Sequence, residues 1–220
     1  RNIGDVLLTS PLINNLRIHY PEAQIDFAVN KGTESMLTLN PRLNKIIIYD
    51  RSYIKSLTIF KRFFKEWQFI RSLSKESYDI VINLTNGDRG NLISLFSNAT
   101  SRIGYKNDNL IFKRAINFEL PAQNLRHTVE ASLDPLRALN LPILNKSVEI
   151  FWSQADEDLV NIKLSGIDNF IHIHPVSRWM FKCISDAVMS KIIDFCEFEL
   201  KLKVIITASE DNFEMQKTGS

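Results

Sequence analysis

Two cysteines in 220 residues are too few for a disulfide framework. Cys183 and Cys196 fall on what reads as one helical region with no other partner, which suits reduced thiols in a cytosolic protein. A surplus of either charge is also lacking: 27 Lys and Arg against 25 Asp and Glu leave a net charge of +2, far from the basic excess of nucleic-acid binders. No apolar run is long enough to span a bilayer and no signal peptide is visible, so the expected place of action is inside the cell or on the inner membrane surface. Walker A, Gly-x-Ser-x-Gly and Cys-x-x-Cys motifs are absent, as are fixed-period repeats and low-complexity segments. What remains is a globular composition, 45% hydrophobic and 24% charged, long enough for one large α/β domain or for one domain plus part of another.

Apolar runs alternate with helical patterns along the chain. Strands are predicted at Ile25 to Val29, Ile46 to Tyr49 and Ile80 to Leu84, and helices at Pro11 to His19, around Glu34 to Leu39 and from Ile54 to Ser74. A helix from Thr128 to Leu139, the Asn140-Leu141-Pro142 break and a helix from Ser153 to Leu164 lead to a second block. There Phe170 to His174 reads as a strand, Asp186 to Phe198 as a helix and Lys203 to Thr207 as a strand. Strands spaced by helices imply parallel sheets with right-handed crossovers. The expected organisation is an α/β fold of two Rossmann-like domains, residues 1–147 and 148–220.

The chain opens Arg1-Asn2-Ile3-Gly4-Asp5-Val6-Leu7-Leu8-Thr9-Ser10-Pro11-Leu12, the pattern of a strand-to-helix turn where a ligand approaches the backbone. Gly4 leaves room for the ligand, and Asp5 sets a carboxylate at a helix start, where free N–H groups keep it ionised. An ionised carboxylate facing a cleft can act as general base toward a sugar hydroxyl; the plainer role for such an Asp is helix capping. In the second block, Ser177, Arg178 and Lys182 follow the strand that ends at His174-Pro175. A hydroxyl, a forked guanidinium and a point-charge ammonium suit a diphosphate; the plainer role is solvation of a helix start.

These stretches resemble the bacterial lipopolysaccharide heptosyltransferases, glycosyltransferase family 9, in their heptosyltransferase III branch. The resemblance rests on the opening motif with His19-Tyr20-Pro21-Glu22-Ala23-Gln24-Ile25-Asp26, and on His174-Pro175-Val176-Ser177-Arg178-Trp179-Met180-Phe181-Lys182-Cys183. Weaker matches are Asn40-Pro41, Tyr78-Asp79-Ile80-Val81-Ile82-Asn83-Leu84, Arg102-Ile103-Gly104-Tyr105 and His127-Thr128-Val129-Glu130. It implies a GT-B architecture with the two domains facing across a cleft, the second incomplete and both ends cut, with 1–147 on the acceptor side and 148–220 holding the donor nucleotide. It further implies an inverting transfer of heptose from ADP-heptose to the inner core of lipopolysaccharide at the inner membrane surface, with Asp5 as base and no obligatory metal or other cofactor. Glu210 and Glu214 are the candidates for the acid that contacts the donor ribose. Alternatives are a non-catalytic sugar-nucleotide or glycolipid binding module, and a GT-B transferase of another sugar.

His172 and His174 alternate on one strand and share a face, with no third ligand spaced for zinc. His127 reads as structural and His19 as exposed. Residues 55–75 interleave Leu57, Phe60, Phe63, Phe64, Trp67, Ile70 and Leu73 with Lys55, Lys61, Arg62, Lys65, Arg71 and Lys75. Such a helix can lie on an anionic membrane or face a phosphorylated glycolipid, or simply turn its apolar face to a core. This region and Arg102 are the acceptor-side candidates.

Overall fold

Every strand pairing among the described residues is parallel, so each connection between paired strands must cross over, two of them through an α-helix and two with only a 3₁₀ turn. The computed structural model describes residues 2–107, 109–122, 126–177 and 180–208. It divides into two compact units, Arg1–Ser153 and Gln154–Ser220.

The first unit begins with α1 (Ile3–Leu7) and α2 (Ser10–His19), followed by β1 (Asp26–Asn30), β2 (Lys45–Tyr49), α3 (Arg51–Ser56) and α4 (Ile59–Ser74). Then come β3 (Ile80–Asn83), α5 (Asp88–Phe96), β4 (Ser101–Tyr105), β5 (Phe118–Leu120), α6 (Thr128–Ser132) and α7 (Asp134–Ala138). β1 pairs with β2 from Asp26↔Lys45 to Asn30↔Tyr49, and β3, β4 and β5 form a second sheet in that order. Two features tie these sheets together. α2 lies over both: Ile13 packs with Val6, Val29 and Leu37, while Leu12 packs with Leu84, Ile103, Leu120, Leu133 and Leu136. At the amino edge the Tyr78 hydroxyl donates to Asp26 Oδ2 at 2.5 Å; burial, and then this bond, push the tyrosine pKa up, so the proton stays on the donor.

α2 also carries buried polar residues with a structural task. Asn15 accepts from the N–H groups of Leu144 and Asn145 and donates to the Asn145 carbonyl at 2.6 Å. It thereby supplies the hydrogen bonds that a neighbouring strand would give residues 144–145. His19, expected to be exposed, is half-buried with Nε2 2.8 Å from the Pro142 carbonyl. Further along, Glu149 takes the Ser10 hydroxyl as acceptor for its N–H and pairs with Arg42 at 2.6 Å, and Arg42 also covers the Phe151 ring. Residues up to 153 are thus held by the first unit, and the units divide there.

Several elements depart from expectation for local reasons. The helix expected from Ile54 to Ser74 is two helices, because Leu57 and Thr58 turn extended (ψ 154° and 155°). Asp50 caps α3 by accepting from the Tyr53 N–H, α4 is anchored separately, and the chain breaks between the anchors. The Thr128 to Leu139 helix is likewise split, with Leu133 as the junction and Pro135, which lacks an N–H, in the first turn of α7. α7 ends where Asn140 adopts φ 55°, with Leu141 N–H returning to the Leu136 carbonyl at 2.8 Å. Only a 3₁₀ turn, Glu34–Met36, forms in the Glu34 to Leu39 stretch.

The second unit holds α8 (Gln154–Lys163), β6 (Phe170–Ile173), α9 (Asp186–Asp194) and β7 (Lys203–Ile206), with β6 and β7 parallel from Phe170↔Lys203 to Ile173↔Ile206. α9 continues into a wide π turn, Phe195–Glu199, that buries Cys196.

Candidate functional site

Parallel sheets present ligands at the carboxyl ends of their strands, and the first unit gathers its chemistry there. α1 packs against the turn that follows β1, with Val6 buried beside Leu37. Asp5 lies in the first turn of α1, at its third position and not at the cap itself. One carboxylate oxygen, Oδ2, accepts the Asn2 N–H at 3.1 Å, as in a capping box. The other oxygen has no hydrogen bond to any described residue. Asp5 thus does the plainer capping work with one oxygen and keeps one acceptor available. Gly4 is helical and needs no special φ, but a Cβ there would meet nothing within 4 Å.

Three clusters at the same ends of the strands went unread in the sequence. After β1, Lys31 Nζ pairs with Asp50 at 2.7 Å; the Lys31 hydrogen bond holds the Asp50 carboxyl below its usual range, and Asp50 also caps α3. At the end of β3, buried Asn83 accepts from the N–H and hydroxyl of Thr85 and reaches Asn91. A Cβ at Gly90 would lie 2.4 Å from Asn83 Oδ1, so this close approach of α5 to the strand requires glycine. The string Asn83-Leu84-Thr85-Asn86-Gly87-Asp88 carries the turn chemistry that would have flagged a strand-to-helix junction.

The third cluster is Tyr49, Glu66 and Arg89. The Arg89 guanidinium holds Glu66 through two bonds of 3.1 and 3.0 Å and lies 3.8 Å over the Tyr49 ring, whose hydroxyl donates to the same carboxylate. Burial alone would raise the Glu66 pKa, but the bonds from Arg89 and Tyr49 outweigh it and leave the group below its usual value. Burial, and then Glu66, push the Tyr49 hydroxyl up to about 12, which keeps it a donor.

In the second unit β6 ends at Ile173, and His174 and His172 share a face as expected: both ring nitrogens meet the Thr207 hydroxyl, at 3.2 and 2.8 Å. Val176 is buried and Ser177 half-buried beyond the strand end. Lys182 closes a 3₁₀ turn, exposed, its ammonium 5.9 Å from the Phe181 ring centroid and with no salt bridge to any described residue. The candidates Arg178, Glu210 and Glu214 lie outside the described residues. Arg102 sits near the amino end of β4, with its guanidinium on the carbonyls of Ala99, Ala115 and Arg114. It braces the loop before β5, at the end of the strand opposite the ligand-facing one. His127 caps α6, its Nδ1 accepting the Val129 N–H at 3.3 Å. Among the described residues no three His, Cys, Asp or Glu side chains are grouped to hold a metal ion, and no helix is long and apolar enough to cross a membrane.

The parallel sheets and crossover helices define a Rossmann-type α/β protein, and solved structures make the class specific: the chain has the GT-B fold of the family 9 glycosyltransferases. It is similar to a glycosyl transferase family 9 structure from Veillonella parvula (TM-score 0.77, 19% identity, 99% of this chain and 63% of that one). It is also similar to Escherichia coli heptosyltransferase WaaC with ADP-2-deoxy-2-fluoro heptose (TM-score 0.73, 14% identity, 100% of this chain and 70% of that one). In sequence it is 26% identical over 218 residues to lipopolysaccharide heptosyltransferase 3 of Escherichia coli, covering 96% of this chain and 63% of the relative. The chain thus spans less than two thirds of the length of that relative. No family model matches. The resemblance carried by the opening and His174 to Cys183 motifs is thus met in both sequence and fold.

Proposed function

We propose that the protein is an inverting heptosyltransferase that moves heptose from ADP-heptose to the inner core of lipopolysaccharide, at the inner membrane surface. The observation that carries the reading is the similarity to lipopolysaccharide heptosyltransferase 3 over nearly the whole chain. The geometry of the first unit agrees with it: one Asp5 carboxylate oxygen has no hydrogen bond to any described residue, and its helix packs against the turn that follows β1. In this mechanism Asp5 removes the proton of an acceptor hydroxyl, which attacks the anomeric carbon as the bond to the leaving ADP breaks. Lys182 and Arg178 stabilise the charge that builds on the diphosphate, more in the transition state than in the ground state. Ser177 adds a hydrogen bond, and Glu210 or Glu214 contacts the ribose. Cationic side chains take the place of a metal.

The test is to incubate the full-length protein with ADP-heptose and a truncated lipopolysaccharide, and to follow the acceptor by mass spectrometry. A gain of one heptosyl unit is expected. Binding of ADP-heptose without transfer would establish a binding module instead, and transfer from another nucleotide sugar would change the donor.

A further inference from the structure

α4 carries two apolar faces, and only one of them is covered. Phe69, Ile70 and Leu73 turn toward the unit's interior, where Phe69 meets the Tyr49 ring edge-on at 5.0 Å. Phe60, Phe63, Phe64 and Trp67 recur at the spacing of a second stripe, about a third of a turn away. They are exposed, Phe60 by 85% and Phe63 by 73%. With Tyr53 and Leu57 of the α3 segment, Phe60 and Phe64 line an open hollow of about 310 Å³ whose rim is Lys61 and Lys65. The Arg71 guanidinium lies 5.0 Å over the Trp67 ring. Between residues 51 and 75 the basic side chains are Arg51, Lys55, Lys61, Arg62, Lys65, Arg71 and Lys75. The only acid there is Glu66, already neutralised by Arg89. None of these basic side chains forms a salt bridge with a described residue.

An exposed aromatic stripe of this size is unusual on a globular surface. Its surroundings select the occupant: an apolar stripe bordered by unpaired cations matches the boundary between acyl chains and anionic headgroups. We propose that α3 and the first half of α4 form a docking surface for an anionic phospholipid bilayer. Phe60, Phe63, Phe64 and Trp67 enter the interface, and Lys61, Lys65 and Arg71 lie among the headgroups. The inference deepens the reading of a membrane-borne acceptor and rests on it for its purpose. Binding is measured without any transfer reaction, however, so the two can fail separately.

The experiment is flotation of the full-length protein with phosphatidylethanolamine vesicles with or without phosphatidylglycerol. Binding is expected only with phosphatidylglycerol. It should fall steeply as salt rises from about 0.1 M to about 1 M, where the screening length shrinks roughly threefold. The double variant Phe60→Ser, Phe63→Ser should lower vesicle affinity roughly tenfold or more. Lys61→Glu, Lys65→Glu should lower it roughly fivefold or more per side chain and flatten the salt dependence. Ile111→Ser, exposed by 69% elsewhere on the same unit, is the control and should bind as the parent does. All three variants alter exposed positions and should keep the parent's circular dichroism. The proposal is overturned if the parent ignores phosphatidylglycerol, if the phenylalanine variant binds undiminished, or if light scattering shows a dimer of this chain that the phenylalanine variant dissolves.

Discussion

Glu66→Gln removes the charge at the centre of the Tyr49–Glu66–Arg89 cluster while keeping the side chain's size. Glu66 receives two bonds from Arg89 and one from Tyr49, and a hydrogen bond to a charged group contributes about 1.5–3 kcal/mol. The pair is not fully buried, with the Arg89 and Glu66 side chains 32% and 21% exposed, so solvent screening lowers the sum, and the amide retains part of the bonding. A net loss of about 2–3 kcal/mol follows. In a chain of this length each kcal/mol moves the melting temperature by about 2–4 °C, so a fall of roughly 4–12 °C is expected by scanning fluorimetry at pH 7. The pH dependence gives a sharper test. The folded pKa of Glu66 lies below the usual 4.5, so its contribution is complete above that value and is lost as pH falls through the folded pKa. The gap between parent and variant should therefore narrow at pH values below the folded pKa. A fall of less than about 1 °C at pH 7, or a gap that keeps its size in acid, would refute the role given to the cluster.

Two further outcomes test the assigned chemistry. Asp5→Asn in the full-length protein should lower turnover by ~10²–10⁴-fold while leaving ADP binding nearly intact; steady-state kinetics close to the parent's would end the assignment of the base. Lys182→Ala should weaken ADP and ADP-heptose in calorimetric titration but leave adenosine unchanged, because only the diphosphate meets the ammonium; equal losses for adenosine and ADP would show that Lys182 acts through folding.

Strands with apolar runs were legible in the sequence to within a residue or two: β2, β3, β6 and β7 lie where branched aliphatic residues cluster, and β1 holds the shorter run Phe27-Ala28-Val29. β4 and β5 were not, since Ser101-Arg102-Ile103-Gly104-Tyr105 and Phe118-Glu119-Leu120 are short and mixed, and each pairs with the parallel edge before it, β4 with β3 and β5 with β4. α5 has so little segregation of apolar from polar residues that no periodic signal marks it; its position is fixed by the Asn83–Asn91 and Gly90 contacts made after folding. At the site, the place of Asp5 in the first turn of a helix was readable because it depends on local sequence. The Lys31–Asp50 and Tyr49–Glu66–Arg89 groups join residues 17 to 40 positions apart, and no sequence spacing announces such pairings. Arg102 lies inside a matching motif, and its three carbonyl partners, on Ala99, Ala115 and Arg114, could not be read from the sequence.

The same reasoning explains how a helix with an uncovered aromatic stripe holds its shape. Ordering the backbone costs roughly 1–2 kcal/mol per residue, and helices in proteins usually recover this by burying a face. In α4 the buried residues are Ile70 and Leu73, both in the last two turns, and the stretch from Ile59 to Trp67 contains none. What holds that stretch is side-chain anchoring: Glu66 is fixed to β2 through Tyr49 and to α5 through Arg89. One ionic contact on the inner side thus lets four aromatic rings remain outward without the helix folding them back into the core. A helix selected only for packing would place those rings against the sheet, where each would contribute about 1.5–3 kcal/mol. Keeping them in water forgoes that stabilisation, and an apolar phase that receives the rings would restore it. Under the docking proposal the clamp and the exposed stripe work together: Glu66 holds the helix by its inner side and leaves the stripe to a bilayer.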